Sequence, residues 1–86
     1  MAGVEEIRAG IALANNKASD AIAALQQAAL QLDEARTALM TATEGSAQTD
    51  VTQAHGLLAE AVQTIAGLRT TILASITSAE GYAARL

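Results

Sequence analysis

Residues 4–42 read VEEIRAGIALANNKASDAIAALQQAALQLDEARTALMTA, and the spacing of apolar side chains in this stretch decides the fold. Val4, Ile7, Ile11, Ala14, Ala18, Ala21, Leu25, Ala28, Leu32, Ala35, Leu39 and Ala42 follow one another in alternating steps of three and four. That spacing keeps side chains on one face of a helix and winds two such helices around each other left-handedly. The second half repeats it with Val51, Ala54, Leu58, Ala61, Ile65, Leu68, Ile72, Ser75, Ala79, Tyr82 and Leu86. Between the two lies Thr43-Glu44-Gly45-Ser46-Ala47-Gln48-Thr49, where Gly45 supplies a left-handed helix terminator. Thr49 reads as the N-cap of the second helix, with Asp50 in its first turn. The expectation is an all-α chain and a single domain over 1–86, with helices over 4–42 and 50–86 and a turn over 43–49. At about 1.5 Å per residue the two rods have nearly equal length, as an antiparallel two-helix hairpin of coiled-coil type needs.

Take Val4 and Val51 as heptad position a. An a/d seam then pairs residues whose numbers sum to 93, placing Leu39 on Ala54, Ala35 on Leu58, Leu32 on Ala61, Ala28 on Ile65 and Leu25 on Leu68. Ala21 falls on Ile72 and Ile11 on Tyr82. Most layers join one long and one short side chain, the way a core fills without voids. On this register Leu25, Leu32, Leu39, Leu58, Ile65, Leu68 and Ile72 form the hairpin seam. Enlarging Ala28 or Ala35 should overpack it, whereas Ala18, opposite Ser75, should tolerate a larger side chain.

The apolar stripe is wider than such a seam uses. Ile22, Ala29, Val62, Ile76 and Ala83 sit at e, and Leu57 extends the stripe at g. A stripe this broad belongs to bundle helices, and an 86-residue hairpin has little core of its own. Ile22, Ala29, Leu57, Val62, Ile76 and Ala83 are therefore candidate interface residues. Their expected partner is a second hairpin, a copy of the chain or a related one, packed into a four-helix bundle.

Charge follows the same geometry. Glu5, Glu6, Asp20, Asp33, Glu34, Glu44, Glu60 and Glu80 occupy b, c or f, so Asp50, at g, is the one acid off the outer face. Arg8, Lys17, Arg36, Arg69 and Arg85 occupy e or g. A net charge of −4 with five cations argues against nucleic acid, whose affinity rests on neutralised phosphates. It argues likewise against an anionic membrane surface. Uninterrupted apolar runs last only a few residues, so neither a membrane span nor a cleaved signal peptide is expected. The expected location is the cytoplasm, or the exterior by a route without a cleaved signal.

Catalytic chemistry finds no support. His55 is the only histidine, and Thr52 stands where a Glu-x-x-His metal pair needs an acid. Cysteine is absent, Ser46, Ser75 and Ser78 have no base at a useful spacing, and no glycine-rich phosphate loop occurs. The chain reads as a non-enzyme with no cofactor and no metal.

An Ala-rich chain near a hundred residues, with two long helices around a glycine turn, resembles the WXG-type helical hairpins of type VII secretion in actinobacteria and Gram-positive bacteria, and the stretches VEEIRAGIALAN, ATEGS and AEGYAARL resemble small actinobacterial relatives. Thr43-Glu44-Gly45 stands at that family's Trp-x-Gly turn, with Thr in place of the Trp. The family's secretion signal, a Tyr followed four residues on by an acid, corresponds to Tyr82 followed by Leu86. The resemblance implies a dimerising partner or chaperone associated with secretion or toxin delivery. A different class fits the same composition: an amphipathic coat whose apolar stripe lies on a lipid or polymer surface. A third is a structural subunit of a larger assembly that presents its acidic tip.

Overall fold

The computed structural model describes residues 3–86. Its two helices are α1, Val4–Ala42, and α2, Thr49–Ala84. They lie side by side as an antiparallel hairpin 64 Å long and only 17 by 15 Å across. The long dimension matches one 39-residue rod at about 1.5 Å per residue. The Asn15 amide donates to the Ile76 carbonyl oxygen across the pair at 3.5 Å, placing early α1 against late α2.

α1 begins with Glu5 and Glu6 in its first turn, where carboxylates complement the positive end of the helix dipole. It ends as the sequence predicts. The Thr43 N–H and hydroxyl both donate to the Leu39 carbonyl, at 3.0 and 2.6 Å. The Ser46 N–H then closes a turn onto the Thr43 carbonyl at 3.0 Å, with Gly45 third in that turn at φ +79°. This is the position that demands a positive φ in a type II turn, and glycine adopts it without Cβ strain. α2 starts one residue earlier than expected and stops two residues earlier. Gln48, not Thr49, is its N-cap, and no side chain caps it. The Val51 and Thr52 N–H groups bond back to the Gln48 carbonyl instead.

The seam departs from the expected a/d register. The shielded side chains of α1 are Ile7, Ile11, Asn15, Ala18, Ile22, Leu25, Ala28, Ala29, Leu32, Arg36 and Leu39, all of them a or e except Ile7 and Ala28 at d. Those of α2 are Val51, His55, Leu58, Val62, Ile65, Ile72, Ile76, Ala79 and Ala83, again a or e, joined near the turn by Ala54, Ala59 and Ala61 at b and d. Most of the d row is exposed: Ala14, Ala21, Ala35 and Ala42 on α1, and Leu68, Ser75 and Tyr82 on α2. Each helix is thus rolled from d toward e. Beyond Ile7 the d row of α1 is alanine throughout, whereas the e rows offer Ile22, Val62 and Ile76. Fully burying an Ile contributes about 1.5–3 kcal/mol and a methyl group about 0.8, so the e rows gain more from the contact.

Several expectations are corrected by this roll. Leu68 is 47% exposed and Tyr82 46%, so the two stand further out than the expected seam places them. Ala35 is exposed as well, while Ala28 is half-buried as the expected seam requires.

Candidate interaction surface

The candidate interface residues divide once the seam is located. Ile22, Ala29, Val62, Ile76 and Ala83 lie in the hairpin's own seam, where they are buried or half-buried. They help fasten α1 to α2, and of the five only Ile22 is buried by that contact. Leu57 alone remains outward, 59% exposed. Of the seam expected from sequence, Leu25, Leu32, Leu39, Leu58, Ile65 and Ile72 are half-buried and Leu68 is not.

A second helix shields one stripe of the first and no more. Ile22, at 9% exposure, is the only buried hydrophobic side chain among the described residues. Leu13, Leu30, Met40, Leu57, Leu68 and Leu73 all stand in solvent. The accessible surface is 6146 Å². A compact monomer of 8.7 kDa exposes roughly 4,700 Å², so the excess is about 1,400 Å².

The two broad faces of the hairpin differ in character. Ala12, Asn16, Glu80 and Ala83 line one shallow crevice, which brings the b and f rows of α1 and the b row of α2 to the same side. That side and the outer backs carry every acid except Asp50. The two surface ion pairs, Arg8 with Glu5 at 3.5 Å and Arg36 with Asp33 at 3.3 Å, join successive turns of α1.

The opposite face is built from the d and g rows. α1 contributes Ala14, Lys17, Ala21, Ala24, Ala28, Gln31, Ala35, Ala38 and Ala42. α2 contributes Ala54, Leu57, Ala61, Thr64, Leu68, Thr71, Ser75, Ser78 and Tyr82. All are exposed or half-buried, and Lys17 is the one charge among them. Asp50, in the first turn of α2, and Arg85, its C-cap residue, mark the two ends of the same g row. Neither has an ion-pair partner among the described residues. Sequence reasoning placed the free surface at e because it assigned the seam to d. The unbroken alanine d row of α1 was the available signal that d would lose that competition.

No group of three His, Cys, Asp or Glu side chains that could hold a metal occurs among the described residues. His55 is half-buried in the seam near the turn. α2 includes an eighteen-residue window of mean hydropathy 1.2 with at most two charges, none of it buried. By length and composition it is long and apolar enough to cross a membrane.

Comparison with protein-family models, curated proteins and solved structures returns no match.

Proposed function

We propose that this chain is a non-enzymatic helical-hairpin interaction module that works by packing onto a second helical hairpin, a copy of itself or a related chain. The observation that carries the reading is the exposed area. A lone hairpin with a single buried side chain among the described residues leaves about 1,400 Å² more surface in water than a compact monomer of its mass. Two chains each covering that much would bury roughly 2,800 Å², within the range of obligate dimers. The d/g face is nearly uncharged and lined by small side chains, so a second pair of helices can approach closely and complete a four-helix bundle. Its resemblance to WXG-type hairpins suggests the setting, as a partner or chaperone in secretion or toxin delivery.

Light scattering on the purified chain tests this reading. The expected result is a species of twice the chain mass at micromolar concentration, or a monomer that folds only with a second hairpin protein. A stably folded, monodisperse monomer overturns it.

The apolar window of α2 favours a second reading, in which the hairpin opens and lays its helices on a lipid or polymer surface. Circular dichroism with and without neutral lipid vesicles separates the two. Full helicity and a cooperative melt without lipid support the bundle, whereas helicity that appears only on vesicles supports the coat.

A further inference from the structure

We infer that the d/g face is covered by a second copy of this chain, its turn at the opposite end, so that Asp50 of each copy meets Arg85 of the other. The inference rests on the interaction-module reading and specifies the partner, the face and the orientation. The Asn15–Ile76 bond fixes relative heights within the hairpin and sets Ala24 level with Gly67 and Leu68. A two-fold axis crossing the face at Leu68 therefore also passes Ala24. About that axis the rows of α2 meet those of the second copy as follows: Leu68 on Leu68, Ala54 on Tyr82, Ala61 on Ser75, Leu57 on Ser78 and Thr64 on Thr71. Away from the axis, both large side chains, Leu57 and Tyr82, fall on small ones. The rows of α1 meet as alanine on alanine, with Lys17 opposite Gln31.

Charge selects this orientation. Continuing the g row outward places Asp50 opposite Arg85 of the second copy, once at each end of the bundle, and neither has an ion-pair partner in its own chain among the described residues. The two Lys17 side chains stand about 21 Å apart along the axis, from fourteen residues of rise. Setting the turns at the same end also brings large residues onto small ones, Leu68 onto Ala24 for example. That orientation, however, gathers Glu44, Asp50 and Glu60 of both copies at one end, where Thr37–Leu68 supplies no Lys or Arg. It also faces the two Lys17 side chains across the bundle at equal height. Like charges so placed repel within a Debye length.

The chain has no cysteine, so single-cysteine variants report cleanly. A disulfide needs Cα atoms within roughly 4.4–6.8 Å, which only residues near the axis satisfy with themselves. Under mild oxidation Leu68→Cys and Ala24→Cys should each give a cross-linked dimer, roughly tenfold more than Thr70→Cys on the other face. If neither links with itself while an equimolar mixture of the two gives the mixed disulfide, the turns lie together and the proposal is overturned. A dimer in light scattering with no cross-link at position 68 or 24 overturns this face and leaves the module reading standing. A folded monomer overturns both.

Charge exchange gives an independent readout. Asp50→Arg or Arg85→Asp alone should weaken the dimer about tenfold, while the double exchange should restore it to within about threefold. A double variant as weak as the singles overturns the Asp50–Arg85 contact, since Asp50 would then act only through the dipole of its own helix.

Discussion

Ile22 is the best-shielded side chain of the hairpin, and its e position sets the roll of α1 toward α2. Ile22→Ala should cost about 2 kcal/mol, the low end for a core Ile because only one facing helix surrounds it. The same truncation at Leu13, 60% exposed, should stay within about 0.5 kcal/mol. Urea titration followed by circular dichroism compares the two, and equal midpoint shifts would contradict the a/e seam. For the same reason Ile22→Asp should unfold the hairpin itself, where a free interface residue would only dissociate a dimer. Asn15 is the seam's lone uncharged amide, donating to the Ile76 carbonyl. A polar residue in a seam fixes register at some expense of stability. Asn15→Leu should therefore raise the thermal midpoint while loosening the register, seen as broadened backbone amide resonances around Ile76.

At the scale of the elements, the helices hold glycines they do not need and the turn holds one it does. A Cβ added at Gly56 or Gly67 meets nothing within 4 Å, and both residues sit mid-helix on the charged side. Replacing either with Ala should stabilise α2 by about 0.5–1 kcal/mol, and the two gains should add because the sites are three turns apart. Gly45 behaves oppositely. Its φ of +79° suits no L side chain, so Gly45→Ala should destabilise by about 1 kcal/mol even though the space around it is open. Thermal melts of the three single variants and the Gly56/Gly67 double variant test both signs together. A stabilising Gly45→Ala would mean that the turn readily adopts another conformation.

The whole molecule is a rod 64 Å long whose interior is one seam. Anything that binds the folded form alone raises its apparent stability with concentration. If a second copy covers the d/g face, the thermal midpoint should climb steadily as the protein is concentrated from low to high micromolar. A concentration-independent midpoint would place all the stability within one hairpin. Leu68→Asp offers a complementary measurement. It should abolish the concentration dependence while leaving the helical signal at high dilution unchanged, because Leu68 lies outside the seam.

The step of three and four through both halves, the glycine at 45 and the near-equal rod lengths were sufficient to determine two antiparallel helices, because those features are local or nearly so. The boundaries of α1 and the left-handed Gly45 came directly from them. Which flank of the a row would face inward was beyond their reach. In each helix d and e both adjoin a, and periodicity alone treats them as equivalent. Tertiary structure chose between them by area. On α1, Ile22 at e buries more than the alanines at d, and on α2 Val62 and Ile76 at e face it, so the helices rolled toward the e rows. That roll moved Leu68 and Tyr82 outward, drew Ile22, Ala29, Val62, Ile76 and Ala83 inward, and left the alanine-rich d/g face, with Leu57 on it, open to solvent.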